Sequence, residues 1–263
     1  TDVVGRGELW GHPKGLYVLF MTEMWERFCY YGMRCILVYY MMKSLMFSQE
    51  QASHIYGLYT SAAYAIPFIG GILADRVLGQ KKAVIIGAII MAAGEFILMS
   101  PEMFYLGLGL MALGTGLFKP NVTTQVGSLY GPTDHRRDRA FNIYYMGINV
   151  GALLGTFITG ALGEWYGWRY GFMAAGIGLI AGLFIYIGGQ RYLAEDLITK
   201  KAEHKEPQES PPMTKDDYAK LFALVVLCLL NIVFWGSYEQ QGNTLAVWAD
   251  ANTHRMIFGW LMP

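Results

Sequence analysis

The chain has 263 residues, 54% hydrophobic and only 15% charged, and its 20 Lys and Arg balance 20 Asp and Glu to a net charge of zero. Soluble domains carry about 25% charged residues, so this composition and a positive mean hydropathy point away from a soluble domain; the zero net charge gives no sign of a nucleic-acid partner. With 32 glycines and 15 methionines it reads as an all-α polytopic membrane protein, in which small residues let helices approach closely. Residues 1–15 are polar with Gly and Pro, and the first apolar run is too long for the core of a signal peptide, so no cleavable leader is expected. Cys29, Cys35 and Cys228 all fall in predicted spans; the first two share a helix six residues apart and cannot bridge, so neither a disulfide nor a metal site is expected.

Seven spans of roughly 20 or more residues, the length a bilayer demands, are predicted at about 16–42, 48–74, 82–100, 103–129, 140–162, 168–189 and 218–240. The first carries Glu23, Glu26, Arg27, Tyr30, Tyr31 and Arg34 at offsets of 3, 4, 7, 8 and 11 from Glu23, which puts them on one helical face. At about 1.5 Å per residue the polar stripe runs roughly 16 Å along the axis. Each such charge facing lipid costs about 2.5–3.5 kcal/mol, so the stripe must look into a bundle or a wet cavity. Glu23 and Arg27 form an i,i+4 pair in the favourable order. A purely structural ion network is the plainer reading; intramembrane charges more often mark pathways. Arg34 lies a turn too far from the glutamates for local neutralisation and calls for another partner.

Between spans two and three, Gly70-Gly-Ile-Leu-Ala-Asp75-Arg76-Val-Leu-Gly79-Gln-Lys81-Lys82 combines helix-contact glycines, a tight turn and an acid followed by bases. It resembles the loop of the major facilitator superfamily, where it latches one conformation; the plainer reading is an ordinary basic loop. Glu95, late in span three, shows no local partner and reads as structural. In span four, Phe118-Lys119-Pro120-Asn121 puts a lysine and a proline at mid-membrane, which predicts an interrupted, loosened helix with freed carbonyls. A kink with a snorkelling lysine is the plainer account, awkward some sixteen residues into a span. Set opposite Glu23 or Glu26, Lys119 would pair with them and feel their protonation.

Span five opens with Phe141-Asn-Ile-Tyr144-Tyr145-Met-Gly147-Ile-Asn149-Val-Gly151-Ala-Leu-Leu-Gly155. Gly147, Gly151 and Gly155 form a small-residue ridge for close helix packing; Asn149 is not explained by packing and offers donor and acceptor to an amide. Phe234-Trp235-Gly-Ser-Tyr238-Glu239-Gln240-Gln241-Gly242 ends span seven, with Trp235 one turn below the Glu239 carboxylate. Lys and Arg concentrate on one side of the spans (Arg6, Lys14, Arg76, Lys81, Lys82, Arg136, Arg137, Arg139 and the linker lysines), against Lys43, Arg169 and Arg255 on the other. The positive-inside bias therefore places the N-terminus in the cytoplasm. The expected organisation is a six-helix transmembrane bundle over 1–190, a polar cytoplasmic linker over 191–217 with no room for another span, and the seventh helix with an outer segment over 218–263. No eighth span is expected, and an end at Gly-Trp-Leu-Met-Pro reads as an interrupted chain.

Together Glu23-x-x-Glu26-Arg27, the Gly-Gly-Ile-Leu-Ala-Asp75 loop, Phe118-Lys-Pro-Asn, Phe141 to Gly151 and Phe-Trp-x-x-x-Glu-Gln-Gln-Gly in span seven resemble the proton-dependent oligopeptide transporter (POT/PTR) family. The motifs lie in order across nearly the whole chain. The resemblance implies a major facilitator fold, here the N-terminal six-helix bundle plus transmembrane helix 7 with the rest of the C-terminal bundle absent. It also implies uptake of di- and tripeptides with protons by alternating access, across a bacterial inner membrane. It further implies proton coupling at Glu23, Glu26, Arg27, Lys119 and Glu239. Substrate contacts are implied at Arg27, Tyr30, Tyr31, Arg34, Tyr64, Lys119, Asn149, Trp235 and Glu239, and a conformational latch at Asp75, Arg76, Gly79 and Lys81. The two extra helices that many bacterial members insert before span seven have no counterpart in this linker. A peptide zwitterion suits such a site, since guanidinium and ammonium groups meet its carboxylate, a carboxylate meets its amino end, and aromatic walls tolerate varied side chains.

No cofactor is expected beyond protons as coupling ion, and the oligomeric state is left open. Two alternatives remain: the same scaffold carrying another substrate, such as nitrate or a peptide-like drug, or a non-transporting receptor or scaffold. An enzyme is disfavoured, because no nucleophile–base set, metal cluster or nucleotide loop is apparent.

Overall fold

The structure, a computed structural model, describes residues 7–196, 214–254, 256–257 and 260–261. It falls into two compact units, 1–200 with 255–263, and 201–254. The first unit begins with a small ribbon, β1 (Glu8–Leu9) and β2 (His12–Pro13), paired antiparallel with Glu8 opposite Pro13. Six long helices follow: α1 (Lys14–Lys43), α2 (Gln49–Leu73), α3 (Gln80–Leu98), α4 (Phe104–Ser128), α5 (Arg136–Tyr166) and α6 (Trp168–Gly189). The second unit carries α7 (Lys215–Tyr238), a 3-10 turn over Glu239–Gly242 and the short α8 (Thr244–Asn252). The ribbon β3 (Met256–Ile257) and β4 (Trp260–Leu261) closes the described chain. Much of the linker read from the sequence, residues 197–213, lies outside the described residues.

Local signals set the helix ends. Ser48 and Gln51 form a reciprocal capping box at the start of α2, and Thr214 and Asp217 do the same for α7. After α2 the chain makes a π-helical turn over Ala74–Leu78 and stops at Gly79, whose φ of 84° suits only glycine. Gly167, with φ 112°, breaks the chain between α5 and α6 in the same way. Among the described residues, four stretches, Gln49–Leu78, Arg136–Tyr166, Trp168–Tyr192 and Lys215–Asn252, are long and apolar enough to cross a membrane on composition alone. The helices outside that set, α1, α3 and α4, hold the buried polar side chains Glu23, Glu26, Arg27, Arg34, Glu95, Thr115, Asn121 and Gln125.

Contacts explain how such helices are tolerated. The dominant neighbours are α1 with α5 and α6, α3 with α4 and α6, and α2 with α4. Exchanging α1–α3 for α4–α6 maps the α1–α5 pair onto α4–α2 and the α3–α4 pair onto α6–α1, the signature of an inverted internal repeat. Within it α1 is wrapped rather than lipid-facing: Leu16, Leu19, Met33, Ile36, Leu37 and Met41 are all at most 1% exposed.

The glycine ridge of α5 is what lets α1 in so closely. A Cβ on Gly155 would come 2.8 Å from the Cα of Phe28, and one on Gly151 would come 3.0 Å from both Arg27 Cβ and Phe28 N. Gly147 meets Phe20 in the same row, so the ridge lies directly along the turns that carry Glu23, Glu26 and Arg27. Close backbone approach of this kind is the usual way helices associate in lipid, where apolar surface alone gives no drive.

The interruption expected at Pro120 does not occur. α4 runs unbroken from Phe104 to Ser128 with Pro120 inside it. The ring of a mid-helix proline presses on the carbonyl four residues earlier and leaves it without its donor; here that residue is Gly116. The backbone of Gly70 on α2 packs onto the Gly116 carbonyl so tightly that a Cβ on Gly70 would collide with it. The next turn is tied by side chains, with Asn121 Nδ2 donating to Leu117 O at 2.6 Å and Thr124 Oγ1 to Pro120 O at 2.8 Å. The helix thus continues through the proline with its neighbours packed against the affected turn.

One clamp joins distant parts of the first unit. The Asp196 carboxylate accepts from the backbone N–H of Gln80 at 2.7 Å and of Lys81 at 3.3 Å, filling the N-terminal positions of α3. Gly79 leaves the room, since a Cβ there would be 2.5 Å from Asp196 Oδ2. Asp75 and Arg76, read as the acid and base of the latch, are exposed on the π-helical turn beside it. At the same end, Arg136 donates to Glu8 Oε1 at 2.8 Å and Gly11 O at 3.0 Å, and His12 Nδ1 lies 2.8 Å from the Tyr130 hydroxyl. The Arg136 guanidinium, hydrogen-bonded to Asp134, holds that half-buried carboxyl below its ordinary range.

Two stability measurements in detergent follow. Gly151→Ala lowers unfolding stability by about 1–3 kcal/mol through overpacking, whereas Gly160→Ala, whose Cβ would meet nothing nearer than Cys35 Sγ at 3.9 Å, is neutral or stabilising. Equal losses at both positions contradict the ridge. Asp196→Ala costs about 0.5–2 kcal/mol, the range for a lost N-cap, read by thermal unfolding; no change means the clamp does not hold α3.

Candidate transport site in the first helical unit

The site is built outward from α1. Arg27 Nε lies 3.1 Å from Glu23 Oε1 and also pairs with Glu26 Oε2. All three side chains are at most 4% exposed. Glu23 Oε2, Glu26 Oε1 and Arg27 Nη2 nevertheless make no hydrogen bond among the described residues. The cluster therefore leaves polar atoms of both signs unsatisfied, among them carboxylate oxygens where a proton can be taken up. Glu26 also feels the charge of Lys119 from α4. Burying such a set is costly, and removing one member of a buried ion pair costs about 3–5 kcal/mol.

Aromatic rings surround the cations. Arg27 stacks 5.1 Å from the Tyr30 ring centre. Arg34 lies over Tyr30 and Tyr31 at 5.9 Å each and over Tyr56 of α2 at 5.7 Å. The partner that sequence reasoning demanded for Arg34 thus includes the π-faces of three tyrosines, which attract a desolvated guanidinium. Lys119 sits 4.7 Å above the Tyr64 ring. Tyr144 of α5 reaches the electrostatic field of Glu23 and lies 3.3 Å from Thr123 Oγ1.

A cavity of about 650 Å³ opens beside these groups. Tyr64 and Pro67 of α2, Lys119, Thr123, Thr124 and Ser128 of α4, and Arg137 and Phe141 of α5 line it. Its volume is in the range of small-molecule sites, and its wall combines cations, hydroxyls and rings. The structure thus brings Glu23, Glu26, Arg27, Tyr30, Tyr31 and Arg34 into one cluster on α1, with Tyr64 and Lys119 together at the cavity. Asn149 is exposed on α5, its amide donating to Tyr145 O at 3.1 Å. Trp235 and Glu239 belong to the other unit, where Trp235 packs edge-on to Tyr238 at 5.3 Å and Glu239 opens the 3-10 turn.

Three participants escaped the sequence reading. Tyr56 and Tyr144 were visible only as aromatic residues on predicted helices, with no sign of which cation they face. Arg137 was counted as a loop charge, yet it lines the cavity from the first turn of α5. Glu95, which shows no local partner in the sequence, meets one on another helix: its Oε1 accepts from Cys29 Sγ at 3.1 Å, a thiol 66 residues away in sequence. Among the described residues no group of three or more His, Cys, Asp or Glu is placed to hold a metal.

Comparison with known proteins agrees with this architecture. Residues 81–211 match the POT family. The chain is 38% identical to dipeptide and tripeptide permease B of Xenorhabdus bovienii over 96% of its own length and 51% of that protein. It is 30% identical to the peptide transporter YePEPT of Yersinia enterocolitica, covering 100% of this chain and 65% of that one. A crystal structure of a mutant peptide transporter POT in complex with alafosfalin superposes with a TM-score of 0.86 at 32% identity, covering 98% of this chain and 65% of that one. The chain thus spans between about half and two thirds of the length of these relatives. Its fold is the all-helical major facilitator fold, six helices of one bundle followed by a seventh. In sequence, in fold and in the motifs of α1, α4 and α5, the chain belongs to the POT family of membrane transporters.

Proposed function

We propose that this protein acts as a proton-coupled symporter that imports di- and tripeptides across the bacterial inner membrane by alternating access, its N-terminus on the cytoplasmic side. The observation that carries the reading is the buried Glu23–Arg27–Glu26 cluster beside a cavity lined by Tyr64 and Lys119. Relatives named as peptide transporters, from bacteria, support the substrate class. The cytoplasmic N-terminus rests on the distribution of Lys and Arg between loops.

In this reading Arg34 and Lys119 meet the substrate carboxylate, and Tyr30, Tyr31 and Tyr64 form walls that accept varied side chains. Both cations are already stacked on rings, so they are held in place before a ligand arrives and less ordering cost remains for binding. A proton arriving on Glu26 weakens its hold on Arg27, and the guanidinium shifts toward Glu23. The two arrangements of the same charges favour different packings of α1 against its neighbours, which is how a proton can bias a conformational equilibrium. The roles of Asn149, Trp235 and Glu239 and the latch role of Asp75, Arg76, Gly79 and Lys81 rest on their motifs. Lipid surrounds the outer helix faces in this reading, as exposed Phe68, Leu153 and Phe184 suit.

The test is uptake of labelled dialanine into liposomes with and without an inward proton gradient, in wild type and Glu26→Gln. The gradient stimulates wild-type uptake; Glu26→Gln lowers that stimulation by about tenfold or more, equivalent to about 1.4 kcal/mol, while exchange of peptide between equal pools survives. Absence of dialanine uptake under any gradient rejects the peptide substrate, and undiminished stimulation in Glu26→Gln rejects the coupling role of α1.

A further inference from the structure

One buried acid is left unused by the scheme above. Glu95 on α3 is 0% exposed. Oε1 accepts from Cys29 Sγ at 3.1 Å, and Oε2 has no hydrogen-bond partner among the described residues. The ion pairs among the described residues involve other acids. A carboxyl kept for structure alone is normally saturated, by a cation or by several good donors. A single thiol is a weak donor and cannot compensate a charge whose burial costs several kcal/mol.

Position matters as much as isolation. Cys29 is one helical turn beyond Glu26 on α1, so the thiol separates Glu95 from the Glu23–Arg27–Glu26 cluster. From α2, Tyr59 is 4% exposed, its hydroxyl has no hydrogen-bond partner among the described residues, and it interacts electrostatically with Glu95, Cys29 and Glu26. Gly176 of α6 closes on the Glu95 Cβ, where its own Cβ would be 3.4 Å away, and Met111 of α4 packs against neighbouring Gly94. The titratable and charged groups that face Glu95 are therefore Cys29 with Glu26 and Arg27 behind it on α1, and Tyr59 on α2; α4 and α6 present an apolar side chain and a glycine.

We propose that Glu95 is a further proton-coupling residue, a neutral carboxyl that stores a proton behind the α1 cluster and whose protonation alternates with that of Glu26. The inference rests on the coupling role proposed above for Glu26. In the exchange, the Glu95 carboxyl gives one proton and the Glu26 carboxylate receives it; one carboxylate and one carboxylic acid stand on each side, and the total charge of the bundle is unchanged. Both acids act on the same tyrosine, Tyr59, and like charges that share one apolar interior titrate as a coupled pair. Ionising both adds a third buried carboxylate that the Arg27 guanidinium does not pair, whereas alternation avoids that state.

Infrared spectroscopy of the protein in lipid tests this without peptide or gradient, by following the C=O stretch of protonated carboxyls as pH is raised. Glu95→Gln, which keeps an oxygen for the Cys29 thiol, removes one component of that band. In Glu26→Gln the Glu95 component persists and its midpoint moves down by about one pH unit, because a neighbouring negative charge no longer opposes ionisation. A band unchanged by Glu95→Gln overturns the proposal, as does a Glu95 midpoint indifferent to Glu26→Gln. Failure of dialanine uptake strikes the transport reading alone, since the carboxyl titration is read on a protein at rest.

Discussion

The architecture depends on one constraint: a guanidinium and two carboxylates must be kept out of lipid on a helix that lies in the middle of a membrane protein. Arg27 answers it by pairing with Glu23 and Glu26 at once, and the rest of the unit follows from sheltering that cluster. α5 presents a glycine ridge so that its backbone can close over the same turns of α1. α6 covers another side, and α2 supplies Tyr56 to the second arginine. Such charges are tolerated only where helices surround them, so the packing that hides the cluster is also the packing that a change in its charge would disturb.

That link makes the cluster suited to a switch. A buried ion pair adds little net stability compared with apolar residues of the same volume, because desolvation offsets most of the attraction. Its value lies in having more than one arrangement of similar energy. With two acids sharing one base, a single proton decides which acid holds the guanidinium. The tyrosines around Arg34 and the ring under Lys119 act differently: they fix cations in place at modest cost, and Lys119 lines the adjoining cavity. In the proposed reading, coupling and recognition fall to neighbouring groups on α1 and α4, of which Arg27 and Lys119 act on Glu26.

Much of this was legible in the sequence, for physical reasons. The stripe from Glu23 to Arg34 could not face lipid, and the spacing of Gly147, Gly151 and Gly155 could only mean close contact with another helix. Neither fact named the partner; that α1 and α5 are partners of each other required the fold. Pro120 was misread because its effect depends on residue 116 being a glycine packed against Gly70, a relation between two helices. The partner of Glu95 was not visible because it is a cysteine on another helix, a residue that on an apolar helix looks like any small hydrophobe. Asp196 was missed as the cap of α3 because helix starts are read from the residues just before them, whereas this cap arrives from beyond α6. Local periodicity carries element type and faces, and contacts between helices far apart in sequence decide what each face meets.

Where the Arg27 cluster carries the coupling proton, peptide binding and protonation of that cluster are one equilibrium. Its most direct measurement is the number of protons taken up when dialanine binds, obtained by titration calorimetry in buffers of different ionisation enthalpy. The account predicts net proton uptake on binding in the wild-type protein near neutral pH, and none in Glu23→Gln/Glu26→Gln. Binding heats that are independent of the buffer in the wild-type protein would contradict it.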